Sequence, residues 1–232
     1  MAQPPNTSET FLREVDENLR RDRARDFAKR YGTWIIAGVV LFLVASGGYI
    51  FWKQQQIRKA EAQVEQLAQI YRAIANGNIR QAPAQLDSLA AESDEAIRAS
   101  ALFTRAAIAI EQRDIKLALA KYREVSGDED MPQPYRDLAL LRQTALEFDS
   151  MKPEDVIARM APLAKPGQPW FGSAGEMTAA ALLKQGKRDE AGRLFATIAK
   201  DNTVPDALRA RAVQIAATLG VDASAALPAT AQ

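Results

Sequence analysis

The chain has 232 residues, with 30 lysines and arginines against 29 aspartates and glutamates, and it contains neither cysteine nor histidine. These counts exclude a disulfide framework, a zinc site built from cysteine or histidine, and a catalytic histidine paired with serine or cysteine. The net charge of +1 lacks the basic excess expected of a nucleic-acid-binding protein. Hydrophobic residues make up 47% of the chain, enough for a sizeable core.

Residues 1–30 are predicted to form a charged tail. Residues 1–8 contain two prolines and no apolar periodicity, so we expect them to be disordered. A helix capped by Ser8 or Thr10 is predicted to follow, because apolar residues recur on one face and charges cover the other. Such a helix either is solvated and fixes the topology, or lies on an anionic membrane surface or a membrane-protein partner. Its apolar face comprises Phe11, Leu12, Val15 and Leu19.

Residues 31–52 are predicted to form a transmembrane helix. No charged residue lies between Arg30 and Lys53, and the run is close to the ~20 apolar residues that cross a bilayer. Aromatic rings at both ends match the two membrane interfaces. A buried helix of a soluble core and a cleaved signal peptide are the alternatives, but the thirty preceding residues and the length favour an uncleaved anchor. The aromatic ends are Tyr31 and Trp34 on one side and Tyr49 and Trp52 on the other.

Basic residues near the span predict its orientation. Six lie within fifteen positions before it and three within fifteen positions after it. Because the more basic flank stays in the cytoplasm, we expect residues 1–30 to be cytoplasmic and residues 53–232 to be exported.

Residues 53–220 are predicted to form helical repeats. A small residue, a large residue four positions later and an apolar residue three further on recur at intervals of 36, 38 and 35 residues. This stripe is typical of the second helix of a hairpin, and the interval is close to the ~34 residues of a tetratricopeptide repeat. The predicted packing residues are Ala82 with Leu86, Ala118 with Tyr122, Val156 with Met160, and Ala191 with Phe195.

The predicted fold is therefore all-α, with one transmembrane helix followed by a tetratricopeptide-like solenoid of about four hairpins and a capping helix. Pro83 is expected to interrupt the first unit, and Val156 replaces alanine in the third. Residues 221–232 are expected to be a disordered tail. The predicted first helices are Ile57–Ala75, Ala96–Gln112, Tyr135–Phe148 and Gly175–Lys184, and the capping helix is Asp206–Leu219.

Catalytic, cofactor and metal sites are not predicted, and neither is a small-molecule substrate. Asp128-Glu129-Asp130 lacks the alternating ligands and distal glutamate of a calcium loop, so we interpret it as a solvated loop. A stacked helical repeat instead offers a broad concave surface for partner peptides. Four residues of the first helices are candidates to line this surface: Tyr71, Phe103, Leu141 and Phe148. The alternative for each of them is a place in the core between repeats.

The stretch Phe11-Leu-Arg-Glu-Val-Asp-Glu-Asn-Leu-Arg-Arg-Asp-Arg23, then Lys29-Arg-Tyr-Gly32, the single span and the degenerate repeats resemble a bacterial family. That family is the ancillary subunits of the SecYEG translocon, single-pass proteins of the inner (cytoplasmic) membrane with a periplasmic tetratricopeptide-like domain. The resemblance implies membrane lipid, SecYEG and a membrane-anchored periplasmic chaperone as partners. There are two rival functions. One is a periplasmic scaffold for envelope assembly or cell division. The other is an anchored enzyme, which the absence of histidine and cysteine disfavours.

Overall fold

The computed structural model describes the backbone of residues 7–226 and the side chains of residues 25–225 except 27 and 28. Within this range the chain forms nine α-helices and no strand, which confirms the predicted all-α class. The predictions for residues 1–6, for the apolar face of the tail helix and for residues 227–232 fall outside the described residues. The chain divides into two compact units, Met1–Glu61 and Ala62–Gln232.

Helix α1 runs without a break over Thr7–Ala75, a length of 69 residues. The predicted helix Ile57–Ala75 is therefore the end of a longer helix, because residues 53–75 contain neither proline nor glycine. At the other end, α1 begins before Ser8 and Thr10, so these residues lie inside the helix and do not cap it.

Eight shorter helices follow α1. The sequence predicts bounds for four of them, which are α3, α5, α7 and α9 here, and these agree with the structure to within two residues, except that α7 begins four residues earlier than predicted. Its first turn contains Gly172, where an added Cβ atom would lie 2.9 Å from Val204 Cγ1, so the missing side chain permits close packing. The helices are α2 (Ala82–Glu92), α3 (Glu95–Glu111), α4 (Ile115–Ser126), α5 (Gln133–Glu147), α6 (Pro153–Met160), α7 (Phe171–Lys184), α8 (Arg188–Lys200) and α9 (Asp206–Thr218).

Pro83 does not interrupt the first unit, contrary to the prediction. It lies in the first turn of α2, one residue after the helix begins at Ala82. The amide groups of a first turn have no partner within the helix, so a proline costs no hydrogen bond there. Pro83 therefore marks the start of the second helix.

The repeated stripes lie in the interior of the domain. All eight stripe residues are at most 5% exposed, and three of the four small positions are alanine. Alanine lets two helices approach closely, while the larger residue one turn later fills the space between them. Residues 62–75 of α1 join this core through Leu67 and Ile70, and Gln63 Nε2 donates to the Glu92 carbonyl oxygen at 2.8 Å.

The third unit departs from the tight hairpin that the stripe predicts. Helix α6 packs closely on α7 and only lightly on α5. Val156 occupies the small position of this unit, and its branched side chain keeps neighbouring helices further apart than alanine does. The pairing of α5 with α6 is thus a prediction that the structure corrects.

A polar cluster around Glu147 links α5 to its neighbours. The carboxylate accepts hydrogen bonds from Arg159 at 2.6 Å, from Arg123 at 2.5 Å and from Gln143 at 3.1 Å. Burial raises the pKa of Glu147, but the three donors outweigh burial and hold that pKa below its ordinary value. The cluster connects α4, α5 and α6 through Arg123, Glu147 and Arg159.

The C-terminal segment packs on the last hairpin, which corrects the predicted disordered tail as far as the described residues extend. Ala223 is 2% exposed, and Val221 lies against α8. A Cβ atom added to Gly192 would lie 2.8 Å from Val221 Cγ2, so glycine makes room for this segment. A short 3-10 turn, Ser224–Ala226, follows.

Candidate functional site

The apolar part of α1 is long enough to span a bilayer. Between Lys29 and Ala75, its most apolar 18-residue window has a mean hydropathy of 2.2, and none of that window is buried within the protein. A soluble protein does not leave so large an apolar surface in water, so a membrane or a partner must cover it.

The four aromatic residues predicted at the ends of the span are exposed. Tyr31 is 45% and Trp34 is 75% exposed, and at the other end Tyr49 is 61% and Trp52 is 59% exposed. The Tyr49 and Trp52 rings lie together, with their centroids 6.5 Å apart. Their placement at both ends is the one that the interfaces of a bilayer favour.

The four predicted groove residues do not share one surface. Phe103 packs its ring 6.0 Å from that of Tyr122, within the second unit. Tyr71 is 43% exposed, and its hydroxyl oxygen accepts a hydrogen bond from Thr104 at 3.2 Å. Leu141 and Phe148 alone line a common groove, in which Leu141 is a buried floor residue and Phe148 a half-buried wall residue.

That groove, here called the α5–α7 groove, consists of two adjoining hollows of about 220 and 300 Å³. Ala145 and Met177 line both hollows and therefore join them. The first is lined in addition by Leu138, Leu141, Arg142, Trp170 and Ser173, and the second by Phe148, Asp149, Glu176 and Ala180.

Helical spacing places these side chains on one surface. Lining residues recur about once per turn along α5 and again along α7, so each helix presents one stripe to the groove. Ala145 and Ala180 have short side chains, which gives the groove its depth. Ala145 and Met177 were not among the predicted groove residues, although a second apolar stripe on α5, beside the core stripe, is a signal that indicates Ala145.

Ion pairs surround the second hollow. Lys184 Nζ lies 2.9 Å from an Asp149 carboxylate oxygen and 4.3 Å from the centroid of the Phe148 ring. Arg211 donates two hydrogen bonds, of 2.8 and 2.6 Å, to the Glu176 carboxylate. Arg142, in the first hollow, is exposed and forms no ion pair with any described carboxylate.

A larger hollow of about 540 Å³ lies at the turn between α1 and α2. Its lining is mainly polar and exposed, with Asn78, Arg80 and Gln81 among its residues. Binding sites are more often apolar with a few polar groups, so the smaller α5–α7 groove is the better candidate.

No group of three acidic side chains converges on a metal-binding position within the described part of the chain. Asp128 instead accepts the Asp130 backbone N–H at 3.0 Å and pairs with Arg98 at 2.7 Å. These contacts give Asp128 a structural role in the loop before α5.

A family model described as a tetratricopeptide repeat-like domain matches residues 25–215. The matched region includes both the apolar span and the helices up to α9. Comparisons with curated proteins and with solved structures found no match.

Proposed function

Because this chain belongs to the tetratricopeptide repeat-like domain family, we propose that it is a membrane-anchored adaptor whose repeat domain binds other proteins. Stacked helical repeats expose wide surfaces shaped by several helices, and such surfaces suit peptide or protein partners. The α5–α7 groove supplies apolar anchoring positions with a polar rim, which is the usual anatomy of a protein-binding site.

One observation carries this proposal: an exposed apolar span and a repeat domain with an apolar groove occur in the same chain. The span accounts for the anchor and the groove for the partner. The family match, which covers both parts, adds support.

We further propose that the anchor lies in the bacterial inner membrane with the repeat domain in the periplasm. The excess of basic residues before the span supports this orientation. In that location the protein would act as an accessory subunit of the SecYEG translocon and link it to a membrane-anchored periplasmic chaperone. The sequence resemblance of residues 11–32 is the basis for these partners.

Site-specific photocrosslinking tests the proposal. A photoreactive residue at Met177, in the groove, is compared with one at Lys116, an exposed residue of α4, in native membranes. Mass spectrometry then identifies the captured proteins. We expect translocon or chaperone subunits at position 177 and not at position 116.

One deletion and one replacement separate the roles of the two parts. Removing residues 53–232 should abolish chaperone capture and leave some translocon association, whereas replacing residues 31–52 by an unrelated apolar helix should do the reverse. Co-purification from solubilised membranes measures both. Capture of division or envelope-assembly proteins in place of Sec components would establish the scaffold function instead.

A further inference from the structure

We infer that the α5–α7 groove receives an amphipathic helix of the partner, with apolar side chains in the two hollows and a carboxylate against Arg142. This inference rests on the proposed function, since it specifies the partner that the groove accepts. Its basis is the lining and the charges of the groove.

The walls of the groove favour a helical partner over an extended one. Both walls are α-helices, α5 and α7, whose backbone groups are already bonded within each helix. An extended peptide would find no backbone groups to pair with there and would depend on a few polar side chains, whereas a helix satisfies its own backbone and needs only side-chain contacts.

The two hollows set the spacing of the anchors. Their lining residues advance along α5 from Leu141 in the first hollow to Phe148 in the second, which corresponds to about 10 Å of helix rise. A partner helix lying along the groove therefore places apolar side chains about two turns apart in the hollows. Ala145 and Met177 lie between them and accommodate an intermediate apolar residue.

The charges around the groove determine which charge the partner should carry. Asp149 is paired with Lys184 and Glu176 with Arg211, so these two carboxylates are neutralised locally. Arg142 has no such partner among the described residues, and the first hollow therefore keeps an uncompensated positive charge beside its apolar lining. A carboxylate one turn from the apolar anchor complements this arrangement.

Binding of a defined probe to the full-length protein in detergent tests the inference. The probe is a fluorescent, covalently stapled helical peptide. It carries three leucines, each one turn after the last, and a glutamate one turn before the first leucine. Its counterpart carries lysine in place of glutamate. We expect Arg142→Glu to weaken the glutamate peptide by about three- to tenfold and to strengthen the lysine peptide. Lys116→Glu, the same charge change on α4, should alter neither affinity by more than about twofold.

Ala145→Arg tests the groove itself, since a long side chain at this exposed position fills the space that joins the hollows. We expect it to abolish binding of both peptides while thermal unfolding stays that of the parent. Equal effects of Arg142→Glu and Lys116→Glu would overturn the inference, as would binding that survives Ala145→Arg or that is equally strong for an unstapled, proline-containing peptide. If crosslinking at Met177 still captures translocon subunits in those cases, the proposed function stands and the helix-in-groove inference alone fails.

Discussion

Backbone geometry at single residues shapes the ends of several helices. Helices α1, α3, α7 and α9 each end in a turn that contains a residue with positive φ, and the next N–H donates to the carbonyl five residues before it. Three of these residues are glycines, but after α3 the residue is arginine. The angles are 82° at Gly77, 62° at Arg113, 77° at Gly186 and 84° at Gly220.

Arg113→Gly is expected to stabilise the repeat domain. A left-handed conformation costs a residue with a side chain about 1–2 kcal/mol, and glycine avoids this cost at an entropic penalty of about 0.5–1 kcal/mol. The net gain in unfolding free energy therefore lies between about 0 and 1.5 kcal/mol, while Gly186→Ala should lose about 1 kcal/mol. Chemical denaturation of the fragment 53–232 measures both. Arg113→Ala is the control for removal of the charge, and a gain as large as that of glycine would contradict the backbone explanation.

The Glu147 cluster predicts a specific dependence of stability on pH. Its donors hold the folded-state pKa below the ordinary value of 4.5, so the unfolded state takes up the proton first as the pH falls. The stabilisation is therefore complete above pH 4.5 and is lost as the pH falls through the folded pKa. Denaturation of the parent and of Glu147→Gln at several pH values should show a difference in unfolding free energy that shrinks below pH 4.5. A difference that is constant with pH would rule out the ionised carboxylate as its source.

Among the helices, small residues decide which elements come close together. Ala191, in α8, is completely buried, and Gly175, in α7, lies where an added Cβ would be 2.9 Å from Ile198 Cδ1. Both leave the space that the neighbouring helix occupies. Where valine takes the small position, at Val156, the two helices of the predicted hairpin, α5 and α6, pack only lightly on each other.

Ala191→Leu should overpack this contact and destabilise the domain by about 1–3 kcal/mol. Phe195, one turn later, is 4% exposed, and Phe195→Ala should leave a cavity that costs about 3–5 kcal/mol. Thermal melts of the fragment 53–232 test both changes. Ala217→Leu, at an exposed position of α9, is the matched control. Variants that melt like the parent would show that the stripe is not a packing stripe.

The C-terminal segment offers a second test of packing between elements. Ala223→Asp places a charge at a buried position, and the segment should detach, with the loss of about 1–3 kcal/mol of apolar burial. Ala225→Asp adds the same charge at an exposed position and should have little effect. Melting temperatures compare the two, and equal values would mean that the segment contributes no packing.

Over the molecule as a whole, charge is distributed evenly while hydrophobicity is not. Residues 53–232 carry 23 basic and 23 acidic residues, so long-range attraction to a charged partner is expected to be weak. A long apolar surface, by contrast, lies on one segment, the span in α1. In the proposed adaptor, the apolar span therefore determines the location, and local contacts on the repeat domain determine what is bound.

The proposed topology rests on the bias of basic residues around the span. A reporter that is active only outside the cytoplasm, fused after Gln232, is expected to be active. Reversing the six basic charges before the span should lower the fraction of chains with an exported C-terminus or give a mixture of orientations, since the bias then favours the opposite topology. A fusion that is stably produced but inactive would reverse the proposed topology.

The helical class, the apolar span and the core stripes could all be predicted from the amino-acid sequence, because each depends on a local periodicity that a single segment carries. Ala118 and Tyr122, for example, are four residues apart, and any helix through them puts them on one face. Which helix packs against which depends on contacts between distant segments, and a local periodicity does not specify those contacts.

Three features emerged only from the packing of helices against one another: the partner of α6, the docking of Val221 and Ala223, and the composition of the groove. Ala145 and Met177 come from different helices, and their joint surface depends on how α5 and α7 pack. Side-chain volumes at distant contacts determine such packing, and no pattern within a single helix encodes them.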